Sequence, residues 1–206
     1  MTSNWRRCRV ASETGFVPFR ITVCGIDELG GFCDVGVTHV LSILDPDYPL
    51  PPAFGSYGEH ERVDLRFNDI IDEQPGMTAP RDEDVARVLE LAADLKRDSM
   101  HEAAHLLVHC HMGISRSTAA MTLILAHIRE ERPAGEALAA VREIRPRAWP
   151  NLRMVELGDR LLGRNGELVR AVGAHYRTAI EAHPKLATSM AEMGRARELR
   201  AAGIDA

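Results

Sequence analysis

The stretch Leu106-Leu107-Val108-His109-Cys110-His111-Met112-Gly113-Ile114-Ser115-Arg116-Ser117-Thr118 constrains the fold more than any other. An apolar run short enough for a strand passes through a tight loop straight into the first turn of a helix. His105 to His109 reads as that strand, and three more strands are expected before it, at Arg20 to Cys24, Val37 to Leu44 and Arg62 to Phe67. Helical periodicity covers Arg81 to Lys96, where Val85, Val88, Leu89, Ala92 and Leu95 form one apolar stripe behind Pro80. Further helices are expected at Arg116 to Glu130, Pro133 to Ile144 and Pro150 to Leu162, with Gly163 as a stop. Strands early and helices late imply an α/β domain, a sheet covered by helices.

Past Gly163 the pattern changes. Leu168, Val172, Tyr176 and Ile180 recur every four residues, and a second helix after Pro184 carries Leu186, Met190, Met193 and Leu199. The reading is a helical C-terminal extension, 163–206, that caps the main core rather than forming a second catalytic unit, with a homodimer or partner contact through these helices as the alternative. Residues 16–162 form the main domain. The segment from Asp45 to Glu59, rich in Pro, Tyr and Gly, reads as an irregular loop that either borders a site or lies plainly on the surface.

Composition excludes several classes. The longest apolar stretch, Ala119 to Ile128, is about half a bilayer span, and the N-terminal arginines are not followed by an apolar segment, so neither a membrane span nor a secretion signal is expected. A net charge of -5 argues against nucleic-acid binding. Cys8, Cys24, Cys33 and Cys110 form no CxxC pair, which fits a reducing cytoplasm better than a disulfide framework or zinc ribbon.

Chemistry is concentrated in the loop after the last strand. Successive amides there can form an anion-holding nest, and the following helix N-terminus adds about half a positive charge. That field favours a thiolate, making Cys110 a candidate nucleophile. Gly113 supplies backbone freedom, Arg116 a planar fork for two phosphate oxygens, and Ser117 a hydroxyl close enough in sequence to reach the sulfur. His111, Met112, Ile114 and Ser115 complete the substrate-binding loop.

The run His109-Cys110-x-x-Gly113-x-Ser115-Arg116-Ser117 resembles the signature of the dual-specificity phosphatases within the protein tyrosine phosphatase superfamily. Gly36-Val37-Thr38-His39-Val40-Leu41 is similar to that family's GITHVLN strand, and Pro150-Asn151 stands where members carry a Pro-Asn pair. The resemblance covers roughly residues 20 to 162. It implies a central, mostly parallel sheet flanked by helices, hydrolysis through a cysteinyl phosphate, and no metal or other cofactor. Low-molecular-weight tyrosine phosphatases and arsenate reductases carry their cysteine loop near the N-terminus, and a rhodanese-type sulfurtransferase needs no acid loop.

The resemblance also implies an aspartate upstream of the cysteine that protonates the leaving oxygen. Asp69, at the strand end, is the leading candidate, with Asp72 next; Asp64 alternates with Arg62 and Arg66 and reads as an ion pair. His109 resembles the family histidine that supports the loop by hydrogen bonding. Asn151 is expected to fix neighbouring backbone and Arg153 to lie exposed on its helix, with a place near the site mouth as the alternative. His105 and His109 share a strand face roughly 13 Å apart, too far for one metal ion. The expected substrates are phosphorylated proteins, bearing phosphotyrosine and also phosphoserine or phosphothreonine, or small phosphate esters. The alternatives are an inositol-phosphate or phosphoinositide phosphatase and a weakly catalytic phosphoprotein-binding module.

Overall fold

The computed structural model describes residues 15–98 and 104–204, so Cys8 and the N-terminal arginines lie outside the described residues. Four strands form the sheet: β1 (Arg20–Cys24), β2 (His39–Leu44), β3 (Glu61–Arg66) and β4 (His105–His109). Seven α-helices are described: α1 (Asp82–Asp98), α2 (Arg116–Ile128), α3 (Ala134–Ile144), α4 (Leu152–Leu161), α5 (Glu167–Ala182), α6 (Lys185–Glu192) and α7 (Ala196–Ala201). The sheet order is β1-β4-β2-β3 and every pairing is parallel, so the α/β expectation holds.

Strand alternation sorts the core into two layers. Ile21, Val23, Leu41, Ile43, Leu106 and Val108 meet the helices in one large cluster. Val40, Leu107 and Cys24 turn to the opposite face, where Leu29, Phe32 and Phe54 cover them from two short 3₁₀ segments, Ile26–Phe32 and Pro52–Ser56. The long helices therefore shield one face, and short irregular segments the other. Helix α2 is the central one, packing against α1, α3 and α4, and His127 alone in it escapes burial.

The extension joins the same core. Leu168, Val172, Tyr176 and Ile180 are buried in the large cluster, as the four-residue recurrence requires. Asp159 on α4 accepts hydrogen bonds from the amides of Gly166 and Leu168, holding the N-terminus of α5. The single helix expected after Pro184 is two: Gly194 adopts φ +74, and Arg195 N–H bonds back to the Met190 carbonyl, ending α6 and redirecting the chain.

Because the strands are parallel, the segments leaving β2, β3 and β4 emerge at one sheet end, where α/β proteins bind ligands. They carry Asp45, Asp69 and Cys110.

Candidate active site

The loop from Cys110 to Ser115 is held from outside through its carbonyl groups. The His111 carbonyl accepts from Ile26 N–H at 2.9 Å, and the Ile114 carbonyl from Trp149 N–H at 2.8 Å. Arg145 grips two more, donating from Nη2 to Met112 O and from Nε to Gly113 O, each at 2.8 Å. Ser115 O accepts from Asn151 N–H at 3.3 Å and Ala119 N–H at 3.0 Å. In a trans peptide the following N–H points opposite to its carbonyl. Five successive outward carbonyls thus turn the amides of Met112 to Arg116 toward the concave side, an anion nest at the start of α2. Gly113 makes the bend at φ +65, and a Cβ there would fall 2.5 Å from the Cys24 carbonyl carbon.

Cys110 lies buried at the foot of this nest with Ser117 Oγ 3.2 Å from its sulfur. Arg116 is also buried; its Nη1 donates to Asp45 Oδ1 at 2.7 Å and to the Phe67 carbonyl at 2.6 Å. The loop after β2 thus borders the site. His111 Nε2 accepts from Asp45 N–H at 3.3 Å and its ring meets Tyr48 edge-on. Burial, followed by the charge of Arg116, lowers the proton affinity of His111.

Asp69 sits across the loop. Its Oδ1 accepts from Ser115 Oγ at 2.7 Å and from Asn151 Nδ2 at 2.8 Å, with Arg195 Nη1 at 3.4 Å. Burial pulls toward the neutral acid, but Arg195, Arg116 and the two hydrogen bonds outweigh it and hold the carboxyl below its usual range.

A parallel sheet with a cysteine nest at its carboxyl end narrows the relatives, and the comparisons agree. Over 132 residues the chain is 32% identical to human protein phosphatase Slingshot homolog 3, covering 61% of this chain and 17% of that protein. Over that segment the chain is thus similar in sequence to a protein phosphatase, and its fold is that of the dual-specificity phosphatases. A mouse putative dual specificity phosphatase crystallised with zinc tungstate superposes with a TM-score of 0.55 at 17% identity, over 81% of this chain and 94% of that one. Human DUSP28 gives 0.52 at 17% identity, over 70% and 92%. No family model matches the chain.

The structure brings Cys110, Arg116, Ser117 and Asp69 together around the loop of His111, Met112, Gly113, Ile114 and Ser115. Gly113 shapes the loop rather than facing the cavity. Asp72 is directed elsewhere, accepting from Arg197 Nη1 at 2.6 Å on the exposed surface. Asp64 pairs with Arg62 at 2.9 Å, as the alternation suggested. Asn151 caps α4 through Met154 N–H while binding Asp69. Arg153 bonds Pro80 O and Glu73, which makes it less exposed than expected. His109 interacts with the backbone of Cys110, short of the geometry of a well-formed hydrogen bond, and its ring packs on Phe54 with centroids 5.4 Å apart. Cys24 faces the small apolar cluster, opposite to Cys110. Among the described residues no group of three or more His, Cys, Asp or Glu is placed to hold a metal ion.

Four site residues escaped sequence reasoning: Asp45, Arg145, Arg195 and Glu198. Glu198 is fully buried, accepting from Trp149 Nε1 at 2.6 Å and from Arg195 Nε at 2.8 Å. The i, i+3 spacing of Arg195 and Glu198 was the available signal, but it lies beyond the motif-bearing region. Above the loop opens a cavity of about 560 Å³, walled by Ile114, Trp149, Ala179, Leu186, Met190 and Met193, four of them from the extension.

Proposed function

We propose that the chain hydrolyses phosphate monoesters through a cysteinyl-phosphate intermediate. The carrying observation is the run of five outward-bound carbonyls, which aims the amides of Met112 to Arg116 at the space above Cys110. The Cys110 thiolate attacks phosphorus while Arg116 and those amides hold the non-bridging oxygens. The P–O bond breaks and the departing oxygen takes the proton of Asp69. Water then attacks phosphorus, the Asp69 carboxylate accepts its proton, and the sulfur leaves with a hydrogen bond from Ser117.

An aryl phosphate such as phosphotyrosine is the preferred substrate in this reading, because the walls beyond the nest are apolar and a ring can lie between Trp149 and the methionines. Phosphoserine and phosphothreonine in proteins are secondary substrates. The matched segment spans 17% of the length of its curated relative, so that protein's activity bears on this one only as support. Among the described residues no helix is long and apolar enough to cross a membrane. A cytoplasmic setting is part of the proposal, supported by the thiols of Cys33 and Cys110 and by the need for a reduced nucleophile. The test is turnover of 4-nitrophenyl phosphate and phosphotyrosine peptides by wild type and Cys110→Ser. Complete loss in the variant, with orthovanadate binding retained, is expected; equal turnover overturns the mechanism.

A further inference from the structure

We infer that Arg195 is a positioning residue, inserted into the active site by the C-terminal helices to hold Asp69 for proton transfer. The inference rests on the hydrolase reading above. It begins from Gly194, whose positive φ ends α6 and turns the chain so that the Arg195 side chain points inward rather than continuing a helix face. The guanidinium is then used on both edges. Nε and Nη2 donate to the fully buried Glu198 at 2.8 and 2.9 Å, while Nη2 also reaches Ser115 Oγ at 2.9 Å and Nη1 lies 3.4 Å from Asp69 Oδ1. Ser115 in turn donates to Asp69.

Glu198 fixes the arginine so that it is not a free surface charge. It accepts from Trp149 Nε1 and from Leu152 N–H at 3.3 Å, linking α7 to the segment that begins α4. Tyr176 OH, on α5, adds a contact at 3.3 Å. A charge tethered this way costs little further ordering when it meets Asp69. The extension is thus built into the catalytic end of the sheet, beyond its role as a cap.

The charged and titratable groups around Asp69 are Cys110, His111 and Arg116 from the loop and α2, with Asp45 behind Arg116, Arg195 with Glu198 behind it, and Tyr176 from α5. Arg195 is the foremost of the cations that oppose protonation. An incoming phosphate adds negative charge beside Asp69 and engages Arg116, which shifts the balance toward the protonated acid that the first step needs. Arg195 therefore places Asp69 and ties its protonation to occupancy of the nest.

The experiment compares wild type, Arg195→Lys, Arg195→Gln and the double variant Arg195→Gln/Glu198→Gln, which leaves no unpaired buried carboxylate. Two quantities are read: the basic limb of kcat/KM against pH for phenyl phosphate, and the midpoint of the Asp69 carboxyl followed by ¹³C NMR. Loss of the cation should raise both by about 1 pH unit in the Gln variants. Arg195→Lys should keep the limb near wild type but lower kcat several-fold, because one ammonium cannot span Glu198, Ser115 and Asp69 together. A merely structural arginine would change stability and leave both midpoints in place. Folded Gln variants with an unmoved Asp69 midpoint overturn the inference. If wild type proves inert toward phosphate esters, the hydrolase reading fails by itself, and the NMR titration still decides whether Arg195 governs Asp69.

Discussion

Arg116 Nη1 stands 2.7 Å from Asp45 Oδ1, so the guanidinium offered to phosphate is already engaged by a carboxylate at the end of the neighbouring strand. Any bound phosphate must share or displace this partner. Asp45 is 41% exposed, which limits the pair to about 1 kcal/mol. Asp45→Asn should accordingly tighten inhibition by inorganic phosphate or orthovanadate by about fivefold. A Ki equal to or above that of wild type would show that Asp45 instead orients Arg116 for the anion.

Arg145 supports the nest without touching its concave side. One guanidinium binds the Met112 and Gly113 carbonyls and donates from Nη1 to Glu28 Oε1 at 2.9 Å, while Glu28 accepts from Gly25 N–H at 2.6 Å. Arg145→Ala should let those two peptides rotate, and with them the amides of Gly113 and Ile114. A misplacement of about 1 Å costs on the order of 10²-fold, so kcat/KM should fall by that order while circular dichroism stays native. Arg145→Lys should recover little, having no fork. Wild-type kinetics in Arg145→Ala would show that the loop holds its shape unaided.

At Gly113 two constraints coincide. Its φ of +65 disfavours any side chain, and an added Cβ would meet the Cys24 backbone at 2.5 and 2.6 Å. Backbone does not yield as a side-chain tip does, so Gly113→Ala should destabilise by about 1–3 kcal/mol and also distort the nest. Urea denaturation measures the first effect and orthovanadate binding the second. Unchanged values for both would mean that the loop has room it does not show.

Local pattern carried much of this architecture. β1 and β4 lie where their apolar runs end, because a strand buried on both faces needs an unbroken apolar segment. Cys110, Arg116 and Ser117 are close in sequence, and one loop and one helical turn bring them together. Asp69 was legible because it follows a strand end. Asp45, Arg145 and Arg195 were not: they reach the site from β2, from the end of α3 and from beyond Gly194, through contacts spanning 71, 32 and 126 residues. Asp45 and Arg145 carry no local periodicity that marks them, and the i, i+3 spacing of Arg195 and Glu198 lies far from the motif. His109 was legible through the motif, and its ring interacts with the Cys110 backbone, although without a well-formed hydrogen bond.

The buried histidines govern how stability responds to acid. Burial pushes His109 down to about 4, and burial together with the charge of Arg20 pushes His105 down to about 4. An unfolded histidine titrates near 6.5. Between these values the unfolded chain binds more protons than the folded one, so stability falls as pH drops from about 6.5 to 4 and this contribution levels off below. The slope is at most about 1.4 kcal/mol per pH unit for each histidine. His111, His127 and His175 are lowered too and act in the same direction. Asp69 acts in a separate window, its depressed affinity adding stability that is lost only as pH falls through its folded value, below the ordinary carboxylate range. Urea midpoints at pH 7, 5.5 and 4.5 should thus decline steeply in wild type. His105→Gln keeps a polar partner for Thr22 Oγ1, 2.9 Å from the imidazole, yet cannot protonate, so its decline should be shallower. Parallel declines in the two proteins would mean that His105 does not stay neutral in the folded state.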